Sequence, residues 1–467
     1  MGKEKKKKNN SNEPSFATAF AKGDIFTKLS APVFGLGCFV RGQIARGIIL
    51  LGFEVLFFWY LINKGLYWIT MLPSLGKQGP ESGYDEFRDV YTTIYHDNSF
   101  KILLYGVLTI FLIVAFIYTI SVSVKMSYAV ELKKKNGQKI DKLKDDLRSL
   151  VDEKFYKTLL SLPCLGIFVF TFLPIVFMVL VSFTNYDGAH DGYTTGLFSW
   201  VGIGNFKTLF SSTGGSGSYF KIFTGILGWT VVWAIVATLS NYILGILVAM
   251  MINKKGIRFK KLWRTIFVMT IAIPQFISLM YVSKMFDKTG LVNGFMTGHG
   301  IWSAPIDFWG TPWIARVMVI VINIWIGIPY MILIASGILM NIPADLYESA
   351  RIDGANPFQQ FRYITMPYML FVTAPYLLTN FTGNMNNFNV IYLLSGGGPG
   401  NAKAGAVGGG VGHTDLLITW LFKLTQGTEA AYYMASVLGI VIFIIVATVT
   451  LLVYNRLGSN KNEEDFA

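Results

Sequence analysis

Eight windows of the chain run for about 20 residues or more with apolar side chains dominating and almost no charge: 44–62, 102–124, 158–183, 222–252, 265–283, 317–339, 368–394 and 430–454. A helix needs about 20 such residues to cross roughly 30 Å of hydrocarbon, so each window predicts one crossing. Only the first carries charge, with Arg46 near its start and Glu54 at its middle. The fold class expected is therefore all-α, a polytopic membrane protein with eight transmembrane helices.

Composition agrees with that pattern. Of the 467 residues 53% are hydrophobic and 14% charged, which excludes disorder and an ordinary soluble domain. If the segments between spans alternate sides from an inner N-terminus, the inner ones collect 29 of the 40 Lys and Arg and 15 of the 27 acids. The positive-inside rule then places both termini in the cytoplasm. The net charge of +13 is accounted for by anionic headgroups of the lipid bilayer, and no nucleic acid is expected as a partner. The opening MGKEKKKKNN is followed by polar residues without a short apolar core, so no cleaved signal peptide is expected.

The remaining candidate groups read as structural. His96, His190, His299 and His413 are scattered over outer loops, so no metal site is expected. Cys38 and Cys164 read as small buried hydrophobes. Glu54 reads as a paired buried acid, because the later spans hold no acid or base that could complete a proton relay.

The expected organisation is a basic tail and interfacial segment (1–43), two spans with a basic loop (44–157), a six-helix core (158–455) and a short tail (456–467). Within the basic loop, DKLKDDLRSLVDEK reads as a solvated amphipathic helix. The outer loops are rich in Gly, Ser, Asp and Thr and read as turns.

One inner connection, 341–367, carries stronger signals: NIPADLYESARIDGANPFQQFRYITMP. Pro343 suits a first helical position, the residues from Ala344 to Asp353 favour helix, and Gly354 can supply a left-handed stop. Asn356 can then cap a second short helix that begins at Pro357. The result is a helix-turn-helix on the cytoplasmic face.

This segment resembles closely the EAA loop of importer-type ABC permeases through Glu348, Ala350, Asp353, Gly354, Ala355, Phe361, Ile364 and Pro367, with Ser349 and Met366 as conservative departures. The resemblance implies the ABC importer type I permease fold and a coupling helix that docks on a separate ATPase, with Glu348 in an interfacial salt bridge. From the residues alone, Glu348 could instead pair locally with Arg351. The glycine clusters at 395–400 and 408–412 lack the Lys-Ser/Thr of a phosphate-binding loop. The chain is thus expected to be no enzyme and to hold no cofactor, with ATP and magnesium on the partner ATPase.

Polar residues inside the spans suggest a path. Asn323, Gly327 and Tyr330 fall within about 60° on one helical face, and Asn386 and Asn389 are three apart on another. Uncharged amides in lipid serve either interhelical hydrogen bonding or a cavity for a neutral, hydroxyl-rich substrate; the residues leave both open. The segments INIWIGIPYM, NMNNFNVIYLLSGGGP and GHTDLLITW look like those of MalF-type permeases of maltose and maltodextrin importers, a likeness spanning Asn205 to the C-terminus.

That resemblance implies sugar contacts at Asn323, Ile326, Gly327, Tyr330, Met385, Asn386 and Asn389, with Met385 where family members carry an aromatic. The implied partners are a second homologous permease subunit, an ATPase homodimer and an extracellular sugar-binding lipoprotein, with maltose/maltodextrin as substrate. A short outer loop at 184–221 looks like that of a Gram-positive cell-membrane protein. The alternative is a permease for another neutral oligosaccharide or polyol. An ion-coupled carrier or a membrane enzyme would need intramembrane acids or a nucleophile that the spans lack.

Overall fold

The computed structural model describes residues 14–455 apart from 88, 142, 212–217, 255, 406–407 and 428. Two compact units appear, one up to Val201 and one from Gly202.

The first unit is built on three apolar helices, α1 (Ile44–Met71), α2 (Ser99–Lys135) and α3 (Phe155–Val181). Aromatic rings weld α1 to α2: Phe57 and Phe34 stack on Phe116 with centroids 4.1 Å and 4.8 Å apart. Beside them Glu54 is buried, and its carboxylate accepts the Phe34 backbone N–H at 2.7 Å. A donor left over at a chain turn thus satisfies the acid that the sequence leaves at mid-span. Between α1 and α2, β1 (Glu81–Asp85) and β2 (Val90–Ile94) form an antiparallel hairpin.

Three short helices, Phe16–Lys22, Ile25–Leu29 and Leu36–Val40, pack on the lysine-rich end of α2 through a buried polar knot. Arg41 reaches Asp24 at 2.5 Å, the Ser127 carbonyl at 2.9 Å and Glu131 at 3.5 Å. Glu131 in turn accepts from Thr27 Oγ1 at 2.8 Å and from the Asp24 N–H at 3.0 Å. The amphipathic helix of the basic loop runs over Leu143–Val151, and its Asp146 grips Arg46 through both carboxylate oxygens.

The second unit contains α4 (Tyr219–Asn253), α5 (Lys260–Ala272), α6 (Gln275–Met285), α7 (Pro312–Leu339), α8 (Ala344–Ile352), α9 (Met366–Met385), α10 (Phe388–Ser395), α11 (Leu417–Leu424) and α12 (Tyr432–Tyr454). Its spine is α4, which packs along α7 and α9. Residues recurring every fourth position on α4, Ala237, Asn241, Gly245 and Ala249, are buried and small or slender. At Gly245 an added Cβ would lie 2.4 Å from the Met331 Cβ, so α4 and α7 approach closely where lipid-phase packing favours small residues.

The exact count of eight crossings is not confirmed. Among the described residues six helices are long and apolar enough to span a membrane, or seven if α5 and α6 form one broken span. The pair bends by 90°, because Pro274 offers no N–H and Ile273 before it is extended at ψ 124°. The window 368–394 does not form one helix either. Helix α9 ends at Met385, and Asn387 starts α10 by accepting the Val390 N–H.

Candidate functional site

An amide layer lies inside the second unit where α4, α7 and α9 meet. Asn323 and Asn241 are buried, and among the described residues neither Asn323 Nδ2 nor Asn241 Oδ1 has a hydrogen-bond partner. Asn384 is buried as well, but its Nδ2 donates to Thr238 Oγ1 at 3.0 Å, while its backbone carbonyl accepts from Trp233 Nε1 at 3.1 Å. A buried polar group without a partner costs ~1–3 kcal/mol, so the first two amides retain unused capacity while the third is a helix-to-helix tie. A neutral hydroxyl, donor and acceptor at once, matches that capacity. The side chains that make the layer, Asn241, Asn323, Asn384 and Thr238, are uncharged.

Gly327 keeps the layer open. A Cβ there would stand 2.3–2.7 Å from the Asn241 amide atoms. We expect Gly327→Ala to displace Asn241 and lower stability by ~1–3 kcal/mol, the usual cost of overpacking, read as a reduced melting temperature of the purified protein. An unshifted melting temperature would show that Asn241 moves freely.

The residues singled out from sequence separate into three places. Asn323, Gly327 and the buried Met385 belong to the packed interior. Ile326 and the exposed Tyr330 line a small depression at the α5–α6 bend together with Gln275 and Trp325. Asn386 and Asn389 are exposed at the α9–α10 break, where Asn386 Nδ2 donates to the Thr382 carbonyl at 3.3 Å. They share no continuous helical face, since the helix ends between them. Asn241, Thr238 and Asn384 were not singled out; only the four-residue spacing of small residues on α4 could have pointed to the first.

The connection between α7 and α9 folds as a helix-turn-helix. Helix α8 has nine residues with Pro343 at its cap, one place earlier than the spacing suggests. Gly354 then turns the chain at φ +79°, a conformation that side chains disfavour, and the Ala355 N–H bonds to the Ala350 carbonyl at 2.8 Å. Asn356 and Gln359 form a reciprocal capping box over Pro357–Gln360. Tyr347 Oη and Thr365 Oγ1, 2.9 Å apart, tie α8 to the approach of α9, which carries Pro367 in its first turn.

Glu348 and Asp353 are exposed and Ala350 is half-buried. Among the described residues Glu348 makes no ion pair with Arg351. The same connection leaves Ile352 87% and Phe358 72% exposed, an unpartnered apolar surface on a stiff, capped element.

Comparison with known proteins places these features in a family. Residues 241–460 match the binding-protein-dependent transport system inner membrane component. The maltodextrin transport system permease protein MdxF of Bacillus subtilis is 35% identical over 92% of this chain and 95% of its own length. The galactooligosaccharides transport system permease protein GanP of the same organism is 32% identical over 92% and 96%. A solved bacterial ABC transporter involved in import of the acidic polysaccharide alginate superposes with a TM-score of 0.53 at 21% identity, covering 68% of this chain and 99% of that one, a likeness of fold. The chain therefore belongs to the family of binding-protein-dependent transport system inner membrane components, the membrane-spanning permease subunits of ABC importers.

Proposed function

We propose that this chain forms one half of the translocation path of a maltodextrin importer and passes the work of a separate ATPase to its spans through α8. The observation that carries the reading is α8 itself: a nine-residue helix closed by the left-handed turn at Gly354, with an exposed carboxylate at Glu348 and exposed Ile352, tied to the root of α9 by Tyr347. A rigid element of this kind transmits displacement without absorbing it. In this reading Glu348, Ala350, Asp353, Gly354 and Pro367 shape the contact with an ATPase homodimer that holds ATP and magnesium. A second homologous permease and an extracellular sugar-binding lipoprotein complete the assembly. Both termini lie in the cytoplasm, as the distribution of Lys and Arg supports, and the short outer loop at 184–221 supports a Gram-positive cell membrane.

The substrate reading rests on the relative named for maltodextrin and on the uncharged amide layer. Asn323, Ile326, Gly327, Tyr330, Met385, Asn386 and Asn389 are the proposed sugar contacts. Loading would reorganise them, since the exposed and buried members do not converge in this conformation. The relative named for galactooligosaccharides supports a second reading in which the neutral sugar differs. Uptake of labelled maltotriose and of labelled galactotriose by the reconstituted complex separates the two. We expect Asn386→Ala to raise the half-saturating maltotriose concentration about tenfold, the size of one lost hydrogen bond of ~1.4 kcal/mol, with assembly intact. Unchanged maltotriose uptake would remove Asn386 from the path.

A further inference from the structure

The cytoplasm-proposed ends of the first three spans meet around a cleft of about 450 Å³. Each span brings one cation to it: Arg46 from the first turn of α1, Lys125 from α2 directly after its uncharged run, and Lys154 immediately before α3. Among the described residues the only acid in the lining is Asp146, and it is spent on Arg46, whose Nε donates at 2.6 Å and whose Nη2 also reaches the carboxylate. The remaining Arg46 nitrogen donates to Gln43 Oε1 at 3.0 Å. Arg46 is thus a wall of the cleft with each of its three nitrogens engaged. Among the described residues no hydrogen bond or ion pair engages the Lys125 or Lys154 ammonium.

Two unpaired ammoniums beside low-dielectric spans attract a compact anion more strongly than they would in water. Met126 and Leu150 make the neighbouring wall apolar, and Ser149 adds a hydroxyl. Basic pockets between spans at headgroup depth suit phosphate oxygens, and lysine binds them as a point charge without needing a planar fork. We propose that this cleft binds a phosphate ester or inorganic phosphate between Lys125 and Lys154. The two available sources are the headgroup of an anionic phospholipid and soluble phosphate. The inference stands apart from the sugar path and holds whichever side of the membrane these span ends face.

The test uses the full chain in nanodiscs of equal phosphatidylglycerol and phosphatidylcholine, released into native mass spectrometry. The wild type should retain phosphatidylglycerol preferentially, and K125Q/K154Q should lower the ratio of retained lipids about tenfold. K139Q/K144Q, which removes the same charge from the same loop outside the cleft, should leave the ratio unchanged, and K125R/K154R should preserve it. A second arm titrates inorganic phosphate into the chain in pure phosphatidylcholine nanodiscs. Saturable binding there that K125Q/K154Q abolishes assigns the soluble source; retention of phosphatidylglycerol without it assigns the lipid. Equal losses in the two glutamine variants, or selectivity in neither arm, would overturn the proposal. Sugar uptake is not read in either arm, so failure here leaves the permease reading intact.

Discussion

Maltotriose uptake by the reconstituted complex should fall about thirtyfold or more on Glu348→Ala, while the sugar still binds. The carboxylate is exposed on α8 and makes no ion pair with Arg351 among the described residues, so its truncation removes nothing from the fold of this chain. Buried in an interface it would behave otherwise. Removing one partner of a desolvated charge pair costs ~2–5 kcal/mol, and at ~1.4 kcal/mol per tenfold that exceeds an order of magnitude in affinity for the ATPase. The measurements are labelled uptake, co-purification of the ATPase and the melting temperature of the chain alone. Lost uptake and lost co-purification with an unchanged melting temperature place Glu348 in the contact. Full uptake would take the coupling role away from it.

The second large effect concerns the polar knot of the first unit. Arg41 is 7% exposed and Glu131 2% exposed, so Arg41→Met would strip Asp24 of its 2.5 Å partner and leave the buried Glu131 carboxylate with Lys135, at 2.5 Å, as its counter-charge. Breaking a buried ion pair from one side costs ~3–5 kcal/mol, enough to release the short helices Phe16–Lys22 and Ile25–Leu29 from α2. Limited proteolysis should then cut near Asp24 at least a hundredfold faster than in the wild type. Adding Glu131→Gln should recover part of the loss, because the share of the buried negative charge that Arg41 no longer offsets disappears with it. A double variant as damaged as the sum of the singles would show that the two groups act independently.

The membrane spans were legible because crossing hydrocarbon demands an uninterrupted apolar run, a property of sequence alone. The helix-turn-helix at 341–367 was legible for a similar reason: Pro343, Gly354, Asn356 and Pro357 act on their own backbone and need no distant partner. What failed needed either a choice between local conformations or a long-range contact. Asn386 and Asn387 can continue a helix or break it, and only the bond from Asn387 to the Val390 N–H decides for the break. Pro274 lies inside an apolar window that hydropathy reads straight through, though it turns the chain by 90°. Asn384 meets Thr238 across 146 positions and Arg41 meets Glu131 across 90, separations for which periodicity carries no information.

The turn at Gly354 has one stereochemical consequence. With φ at +79° and nothing within 4 Å of where a Cβ would project, the obstacle at this position is handedness rather than crowding. A mirror-image alanine introduced by chemical ligation would sit there at rest, whereas its natural enantiomer would strain against its own backbone. The hinge between the two short helices could therefore be stiffened by adding one methyl group to the surface proposed to meet the ATPase.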